Sequence, residues 1–234
     1  MAEPRTDHPA PSDAARELDA VATALAHDLR APLRAIDGFS RILLADHAGT
    51  MPPETEHYLA LVRDAGTELA DLLDDLVDIV RMTRVPLELG ERDPAQLTRE
   101  LIEAVLAPRA HGRDVTWAVE DVPPCRADQA LLRRLVEELL DNALKFTAPH
   151  ASARIALSWD AEEGAYAVRD DGIGLDGELP EQAFAIFGRL HGREAFGGTG
   201  AGLAIARRIA ERHGGRVWGR GTPEGGATVW FTIA

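Results

Sequence analysis

Two long amphipathic stripes at helical spacing, separated by a short turn, most constrain what the first third of this chain can fold into. The first stripe begins near Asp13 and stays in phase across Pro32, so this proline is expected to kink the helix rather than end it. A turn at Gly49 and the following proline pair leads to the second stripe. The apolar residues recur three, four and seven positions apart: Leu18, Val21, Leu25, Leu29, Ile36, Phe39 and Leu43, then Tyr58, Leu61, Val62, Ala65, Leu69, Leu72, Leu73, Leu76 and Ile79.

A hairpin of two such helices cannot bury both apolar faces by itself. Two copies packed as a four-helix bundle would bury them, so the pattern predicts a homodimer. The alternative is that the rest of the same chain covers these faces. Residues 1–12, which contain three prolines, are expected to form a flexible tail, and residues 13–84 a helical dimerisation domain.

Beyond a linker expected at residues 85–93, helical and strand patterns alternate along the chain. Helical periodicity covers residues 97–110, 128–146 and about 203–213. Strand-like alternation covers residues 115–120, 153–159, 165–169, 216–219 and 227–233. This mixture predicts an α/β sandwich over residues 94–234, with one mixed sheet and one layer of helices.

The charge balance limits the partners of this chain. With 25 basic and 39 acidic residues, the net charge is −14, which disfavours nucleic acid and anionic membranes. No apolar run is long enough to span a membrane or to serve as a signal peptide, so the cytoplasm is the expected compartment. The single cysteine, Cys125, can form neither an internal disulfide nor a zinc site.

The first candidate site is the pair His27-Asp28, which stands about one turn before Pro32. A histidine on a helix is most often simply solvated or packed, but here a carboxylate follows it directly. Asp28 can hold the imidazole tautomer and accept its proton, which leaves the other ring nitrogen nucleophilic.

The second candidate site lies on the helix predicted at residues 128–146. Glu138, Asn142 and Lys145 are spaced i, i+4 and i+7, so they share one helix face. A carboxylate, an amide and an ammonium in a row can bind a hard cation and the phosphates around it. The alternative is an ordinary solvated helix face.

Two glycine-rich segments complete the set. In the first, Asp170 can accept a hydrogen bond from an exocyclic amine, while Gly172 and Gly174 let the backbone pass close to a flat ring; a plain turn is the alternative. The second contains Gly198, Gly200 and Gly202 just before a helix that is expected to begin near Leu203. Glycines that open a helix form an anion site, but no lysine follows as in a P-loop.

Together and in this order, these segments resemble the transmitter module of bacterial sensor histidine kinases, over about residues 13–234. His27 within HDLRAPL is similar to the phosphoacceptor histidine box. The run IFGRLHGREAFGGTGAGLAIARRIAERHGGRVW is especially similar to kinases of the phytochrome type. The other boxes correspond to Glu138, Asn142 and Lys145 (N box), Asp170, Gly172 and Gly174 (first glycine box), Phe184 and Phe187 (phenylalanine box), and Gly198, Gly200 and Gly202 (second glycine box).

The resemblance implies an ATP-binding domain of the Bergerat type, as in GHKL ATPases. Asp170 would then read the adenine amine and Asn142 would bind Mg²⁺. Nucleotide binding extends by the same resemblance to Thr199 and Leu203. It also implies a mobile lid over residues 175–199, where Arg189 or Arg193 could reach the γ-phosphate or could simply remain solvated.

The implied function is that of an ATP-dependent, Mg²⁺-requiring protein histidine autokinase. Phosphate would pass from ATP to His27, with Asp28 as base, and then to an aspartate in the receiver domain of a response regulator. Two alternatives stay open: a non-catalytic phosphotransfer dimer without useful ATP binding, and an ATPase or serine kinase of the same nucleotide fold without phosphohistidine.

One position departs from the family pattern. Many of these kinases carry Thr or Asn four residues after the histidine, where it helps to position water for dephosphorylating the regulator. Ala31 occupies that position here and has no polar side chain, so weak phosphatase activity is expected. Only about twelve residues precede the first helix, so the signal is expected in trans or from an N-terminal part that this sequence lacks.

Overall fold

The computed structural model describes residues 13–82, 86–110, 112–186, 188, 199–222 and 225–234. The chain divides into two compact units, Met1–Val85 and Pro86–Ala234. The first unit is a pair of helices and the second combines helices with strands.

The first unit is a helical hairpin of α1 (Asp13–Asp46) and α2 (Pro53–Met82). As expected from the unbroken stripe, α1 continues through Pro32. A small buried cluster, Ala26, Leu33, Leu73 and Val77, holds the two helices together. Beside it, the guanidinium of Arg30 donates to the carboxylate of Asp74, with Nε 2.9 Å from Oδ1.

Much of the apolar surface of this hairpin remains outside its own core. Phe39 is 68% exposed, which is far above what a buried helix face shows. Such a continuous apolar surface is typical of an interaction site. The other large apolar side chains exposed on the hairpin are Leu25, Leu29, Ile36, Ile42, Leu43, Tyr58, Leu61, Val62 and Leu69.

The second unit is built on a six-stranded mixed sheet and a small two-stranded sheet. The strands are β1 (Leu89–Arg92), β2 (Asp114–Val119), β3 (Cys125–Asp128), β4 (Ser152–Asp160), β5 (Ala165–Asp170), β6 (Gly177–Glu178), β7 (Val217–Thr222) and β8 (Gly226–Phe231). The large sheet has the order β2-β4-β5-β8-β7-β6, and β1 pairs with β3. Only the β2–β4 pair is parallel among the described strands.

Helices cover one face of the large sheet. Asp93 and Asp128 cap the N-termini of two of them by accepting backbone N–H bonds from the first turn, which satisfies otherwise unpaired donors. Ile155, Leu157 and Phe231, on the strands of this sheet, are fully buried. The helices are α3 (Pro94–Leu101), continued by a π-helical turn (Ile102–Leu106) and α4 (Ala107–Arg109), then α5 (Gln129–Phe146), a 3-10 helix (Glu181–Phe184) and α6 (Gly202–Arg212). The predicted fold class, a helical region followed by an α/β sandwich, is confirmed.

Three strands differ from the sequence-based expectation. β1 lies inside the segment expected as a linker, residues 85–93, and its register with β3 runs from Leu89↔Asp128 to Arg92↔Cys125. Both strands are only four residues long, and β1 lacks apolar alternation, so the pairing depends on contacts distant in sequence. β6 lies within the segment expected as a mobile lid and pairs with β7 at the edge of the sheet.

No helix in the described part of the chain combines the length and the apolar character that a membrane crossing requires.

Candidate active site

The start of α6 lies directly against the middle of α5. A Cβ atom added to Gly202 would lie 2.6 Å from Oε2 of Glu138 and 3.2 Å from Nδ2 of Asn142. Real Cβ contacts are essentially never shorter than 3.0 Å, so a larger residue here would require the end of the Glu138 side chain to move. The structure therefore brings together residues from the N box and the second glycine box, which are about sixty positions apart in sequence.

Asn142 carries an unsatisfied polar group at this contact. Its Nδ2 is buried and has no hydrogen-bond partner among the described residues. Buried amide groups are normally paired, so this nitrogen is a donor available to a ligand. Glu138, one turn earlier, forms an ion pair with Arg134 at 2.8 Å. The ammonium of Lys145, one turn later, lies 5.3 Å from the ring centre of Phe146.

Asp170 ends β5 and is 7% exposed. Burial raises the pKa of its carboxyl to about 6, partly offset by backbone hydrogen bonds from Gly172 and Ala227. Oδ1 accepts the N–H of Gly172 at 2.9 Å, which fixes the side chain at the start of the turn. A carboxylate held in this way offers an acceptor in a largely water-free environment.

The turn after Asp170 is tied to the end of α5. The N–H of Ile173 donates to the carbonyl oxygen of Phe146 at 3.2 Å. A Cβ at Gly172 would lie 2.5 Å from that same oxygen, so the close approach requires glycine. Gly174 adopts a φ of 66°, in the left-handed region that favours glycine. The last turn of α5 thus adjoins the first glycine box.

The N-terminus of α6 supplies backbone donors. Gly200 has a φ of 77°, and the N–H of Ala201 lies 3.3 Å from Oγ1 of Thr199. Ala201 occupies the N-cap and provides no side-chain cap. The first-turn amides, including those of Gly202 and Leu203, have no helix carbonyl to reach, which makes a helix N-terminus suited to anions.

Phe184 packs at the other side of α6. Its ring is buried, and the guanidinium of Arg207 lies 5.9 Å from the ring centre. Arg207 also bonds to Glu211 at 3.0 Å and to Glu181. The first part of the segment expected as a lid therefore contacts α6, through Glu181 and Phe184. Four residues that the sequence suggested, Phe187, Arg189, Arg193 and Gly198, lie outside the described residues.

In the first unit, His27 and Asp28 are strongly exposed, with 82% and 80% of their side chains accessible. Nδ1 of His27 lies 3.2 Å from Oδ1 of Asp28. With Nδ1 protonated and donating to this carboxylate, Nε2 keeps its lone pair and faces solvent. Ala31 is exposed on α1 one turn further on.

Two models of known protein families match this chain, one in each unit. Residues 17–84 match the model of the His Kinase A (phospho-acceptor) domain, and residues 127–234 match that of the histidine kinase-, DNA gyrase B- and HSP90-like ATPase. The chain belongs to the sensor histidine kinases. The resemblance seen in the sequence is confirmed.

Individual relatives of this histidine kinase chain point the same way. Cyanobacterial phytochrome B from Nostoc sp. is 33% identical over 93% of this chain and 29% of its own length. The methanogenesis regulatory histidine kinase FilI from Methanothrix harundinacea is 32% identical over 93% of this chain and 24% of its own length. The chain therefore spans less than a third of these curated relatives.

A solved structure also matches across both units of the histidine kinase chain. Full-length ShkA in complex with AMPPNP aligns with a TM-score of 0.61 and 27% identity, and covers 92% of this chain and 47% of that chain.

One residue that contacts the end of α5 was missed from the sequence. The guanidinium of Arg113, just before β2, donates to the carbonyl oxygens of Leu144 and Thr147 at the end of α5. Its partners lie more than thirty positions away and are backbone atoms, so no local motif reports them.

Proposed function

We propose that this chain is an ATP-dependent histidine autokinase that phosphorylates His27 and passes the phosphoryl group to an aspartate of a response regulator. The observation that carries this proposal is the contact of Gly202 with Glu138 and Asn142. It places an unsatisfied buried amide beside uncapped backbone donors, an arrangement suited to a polyphosphate.

The adenine end of the nucleotide is assigned to Asp170. Its buried carboxylate would accept a hydrogen bond from the exocyclic amine, and Gly172 and Gly174 would allow the ring to lie against the backbone. The phosphates would extend towards the N-terminus of α6 at Gly200 and Gly202. ShkA, which shares this fold, was solved with AMPPNP, an ATP analogue.

Mg²⁺ fits the residues present. Within the described ranges, no cluster of three or more His, Cys, Asp or Glu residues is placed to hold a metal ion. This agrees with a Mg²⁺ that is held mainly by the phosphates of ATP and by few protein groups. A rotation of the Asn142 amide exchanges its nitrogen and oxygen and would present the oxygen as a ligand, with Glu138 next to it. When bound, Mg²⁺ would offset the negative charge of the phosphates.

The acceptor chemistry follows from the His27-Asp28 pair. Nε2 of His27 attacks the γ-phosphorus; the N–P bond forms as the bond to the β–γ bridging oxygen breaks, and ADP leaves. Positive charge develops on the imidazole as the bond forms. Asp28, 3.2 Å from Nδ1, stabilises that charge and accepts the proton. Lys145 is proposed to neutralise phosphate charge on the nucleotide side.

We assign two protein partners. A second copy of the chain would cover the exposed apolar side chains of the hairpin and form the four-helix bundle. The receiver domain of a response regulator would take the phosphoryl group from His27, whose exposure allows a second protein to reach it.

The test is incubation of the purified chain with Mg²⁺ and γ-labelled ATP beside the His27→Ala variant. We expect label that survives alkali, is lost in acid and is absent from the variant. His57→Ala, on α2, is the matched control and should keep the label. Labelling that persists in His27→Ala would contradict the proposal.

Two alternatives predict other results. A phosphotransfer dimer would acquire no label and bind no ATP, but the Gly202 contact disfavours it. An ATPase or serine kinase of the same fold would turn over ATP or acquire acid-stable label independently of His27; the exposed His27-Asp28 pair disfavours it.

A further inference from the structure

Arg113 forms hydrogen bonds with the last turn of α5. Its Nη1 donates to the carbonyl oxygen of Leu144 at 3.2 Å. Its Nη2 donates to the carbonyl oxygen of Thr147 at 2.5 Å and lies 3.3 Å from the Thr147 hydroxyl. Thr147 is fully buried, so these acceptors depend on protein donors rather than on water.

The same turn of α5 carries the contact with the nucleotide site. The Phe146 carbonyl, between the two carbonyls that Arg113 binds, accepts the N–H of Ile173. We infer that Arg113 is a positioning residue of the kinase: it fixes the last turn of α5 against the Asp170–Gly174 turn and so sets the place of Asn142 and Lys145. This inference rests on the proposed function, because it needs a nucleotide to bind there.

The guanidinium suits this task for a physical reason. The last carbonyls of a helix lack the usual i+4 backbone N–H partner, although the Leu144 carbonyl also accepts the Thr147 hydroxyl at 2.9 Å. A cation near these carbonyls also interacts favourably with the helix dipole. A planar guanidinium can donate to two carbonyls at once, whereas the ammonium of lysine is a single point charge. A small displacement of a site-forming turn is enough to weaken binding, since misplacement by about 1 Å can cost about 100-fold in activity.

The fold of α5 does not depend on Arg113 alone. Its apolar face is anchored by Leu135, Leu139 and Leu140, which are buried. The preceding turns are also held by Arg109, which pairs with Asp141 at 3.0 Å and with Glu137 at 3.6 Å. Replacing Arg113 should therefore shift the last turn without unfolding the helix.

The experiment compares the full chain with R113Q, R113K and the control R99Q. Arg99 also donates to a backbone carbonyl, that of Val119 at 3.4 Å, and to Asp121. Val119 ends β2 whereas Arg113 precedes its start, roughly 20 Å away along an extended strand. The Kd of trinitrophenyl-ATP is measured with Mg²⁺ at a temperature where circular dichroism shows every variant to be folded.

We expect the Kd to rise about tenfold or more in R113Q, to rise less in R113K, and to stay at the wild-type value in R99Q. Wild-type affinity in R113Q, or an equal loss in R99Q, would overturn the inference while the proposed function stands. If R113Q does not fold, R113K decides, and an unchanged Kd there would overturn the inference. Failure of the wild-type chain to bind the probe would overturn both this inference and the proposed function.

Discussion

Gly202 lies so close to Glu138 that a Cβ atom would come within 2.6 Å of the carboxylate oxygen Oε2. The contact joins the first turn of α6 to the face of α5 that carries Asn142. An alanine at this position must push Glu138 and Asn142 away or shift α6. We therefore predict that G202A weakens nucleotide binding by at least tenfold, in line with about 1.4 kcal/mol for each factor of ten.

Gly38→Ala is the matched control for G202A. Gly38 lies within α1, and a Cβ there would meet nothing within 4 Å. Alanine in a helix interior is more stable than glycine by about 0.5–1 kcal/mol, so Gly38→Ala should keep affinity and raise the melting temperature slightly. Isothermal titration with ADP and Mg²⁺ measures both variants. Equal affinity of G202A and wild type would show that this contact does not shape the site.

Asp170 is predicted to make nucleotide binding pH-dependent. Burial raises the pKa of this carboxyl to about 6 in the free protein, so its ionised fraction declines below that pH. We predict that adenine nucleotide affinity falls as the pH is lowered from 7 to 5, by up to about tenfold for each pH unit below 6. The phosphates of the nucleotide titrate in the same pH range, so the pH dependence of affinity is measured in both the wild type and D170N. D170N should bind more weakly at pH 7, and its affinity should lack the part of the pH dependence that is due to Asp170.

The Asp170 carboxyl should also lower the free energy of unfolding as the pH rises. The pKa of this carboxyl in the folded chain lies above its ordinary value of 3.8, so the folded state holds the proton more tightly. The contribution of Asp170 to stability is therefore full below about pH 4 and is lost as the pH rises through about 6. In D170N this component should be absent, and chemical unfolding at pH 4.5 and 7 should show a smaller difference than in the wild type.

Much of the fold was predictable because its signals are local. The bounds of α5 and α6 lie within about one residue of the periodic segments expected at 128–146 and 203–213. β1 and β3 were missed because their pairing, from Leu89↔Asp128 to Arg92↔Cys125, joins segments more than thirty residues apart, and each strand is only four residues long.

In the candidate site, too, residues with a local sequence signal were predicted and residues that depend on distant contacts were not. Glu138, Asn142 and Asp170 were suggested by helical spacing and by a strand-end carboxylate before glycines. The role of Arg113 depends on backbone carbonyls of α5, which leave no trace in the side-chain pattern. The sequence also showed that Gly202 opens a helix, but only the structure shows why a larger residue there would disturb Glu138.

Asp28 should affect phosphoryl transfer without affecting nucleotide binding. Asp28→Asn removes the negative charge 3.2 Å from Nδ1 of His27, so the imidazolium character that develops during attack is less stabilised. We predict a fall in the initial autophosphorylation rate of about 100-fold or more, with unchanged affinity for ADP. Asp46→Asn, at the end of the same helix, is the control and should leave both quantities unchanged. Autophosphorylation of Asp28→Asn at the wild-type rate would exclude this role.

Ala31 is predicted to limit phosphatase activity, the hydrolysis that removes phosphate from the regulator. It lies on the exposed surface of α1 four positions after His27 and cannot orient a water molecule, since its methyl group neither donates nor accepts hydrogen bonds. We predict weak phosphatase activity in the wild-type chain and a gain of at least several-fold in Ala31→Thr, at a cost in helix stability of up to about 0.7 kcal/mol.

The assay for Ala31→Thr uses the response regulator that accepts phosphate fastest from the labelled chain, and follows loss of its phosphoryl group with ADP and Mg²⁺. Ala35→Thr, one turn further along the same exposed helix, introduces the same hydroxyl at a distance from His27 and should leave the rate at the wild-type value. Because both variants carry the same propensity cost, a gain specific to Ala31→Thr reports water positioning rather than helix destabilisation. Rapid dephosphorylation by the wild-type chain, or equal rates in the two variants, would show that the side chain at this position does not set phosphatase activity.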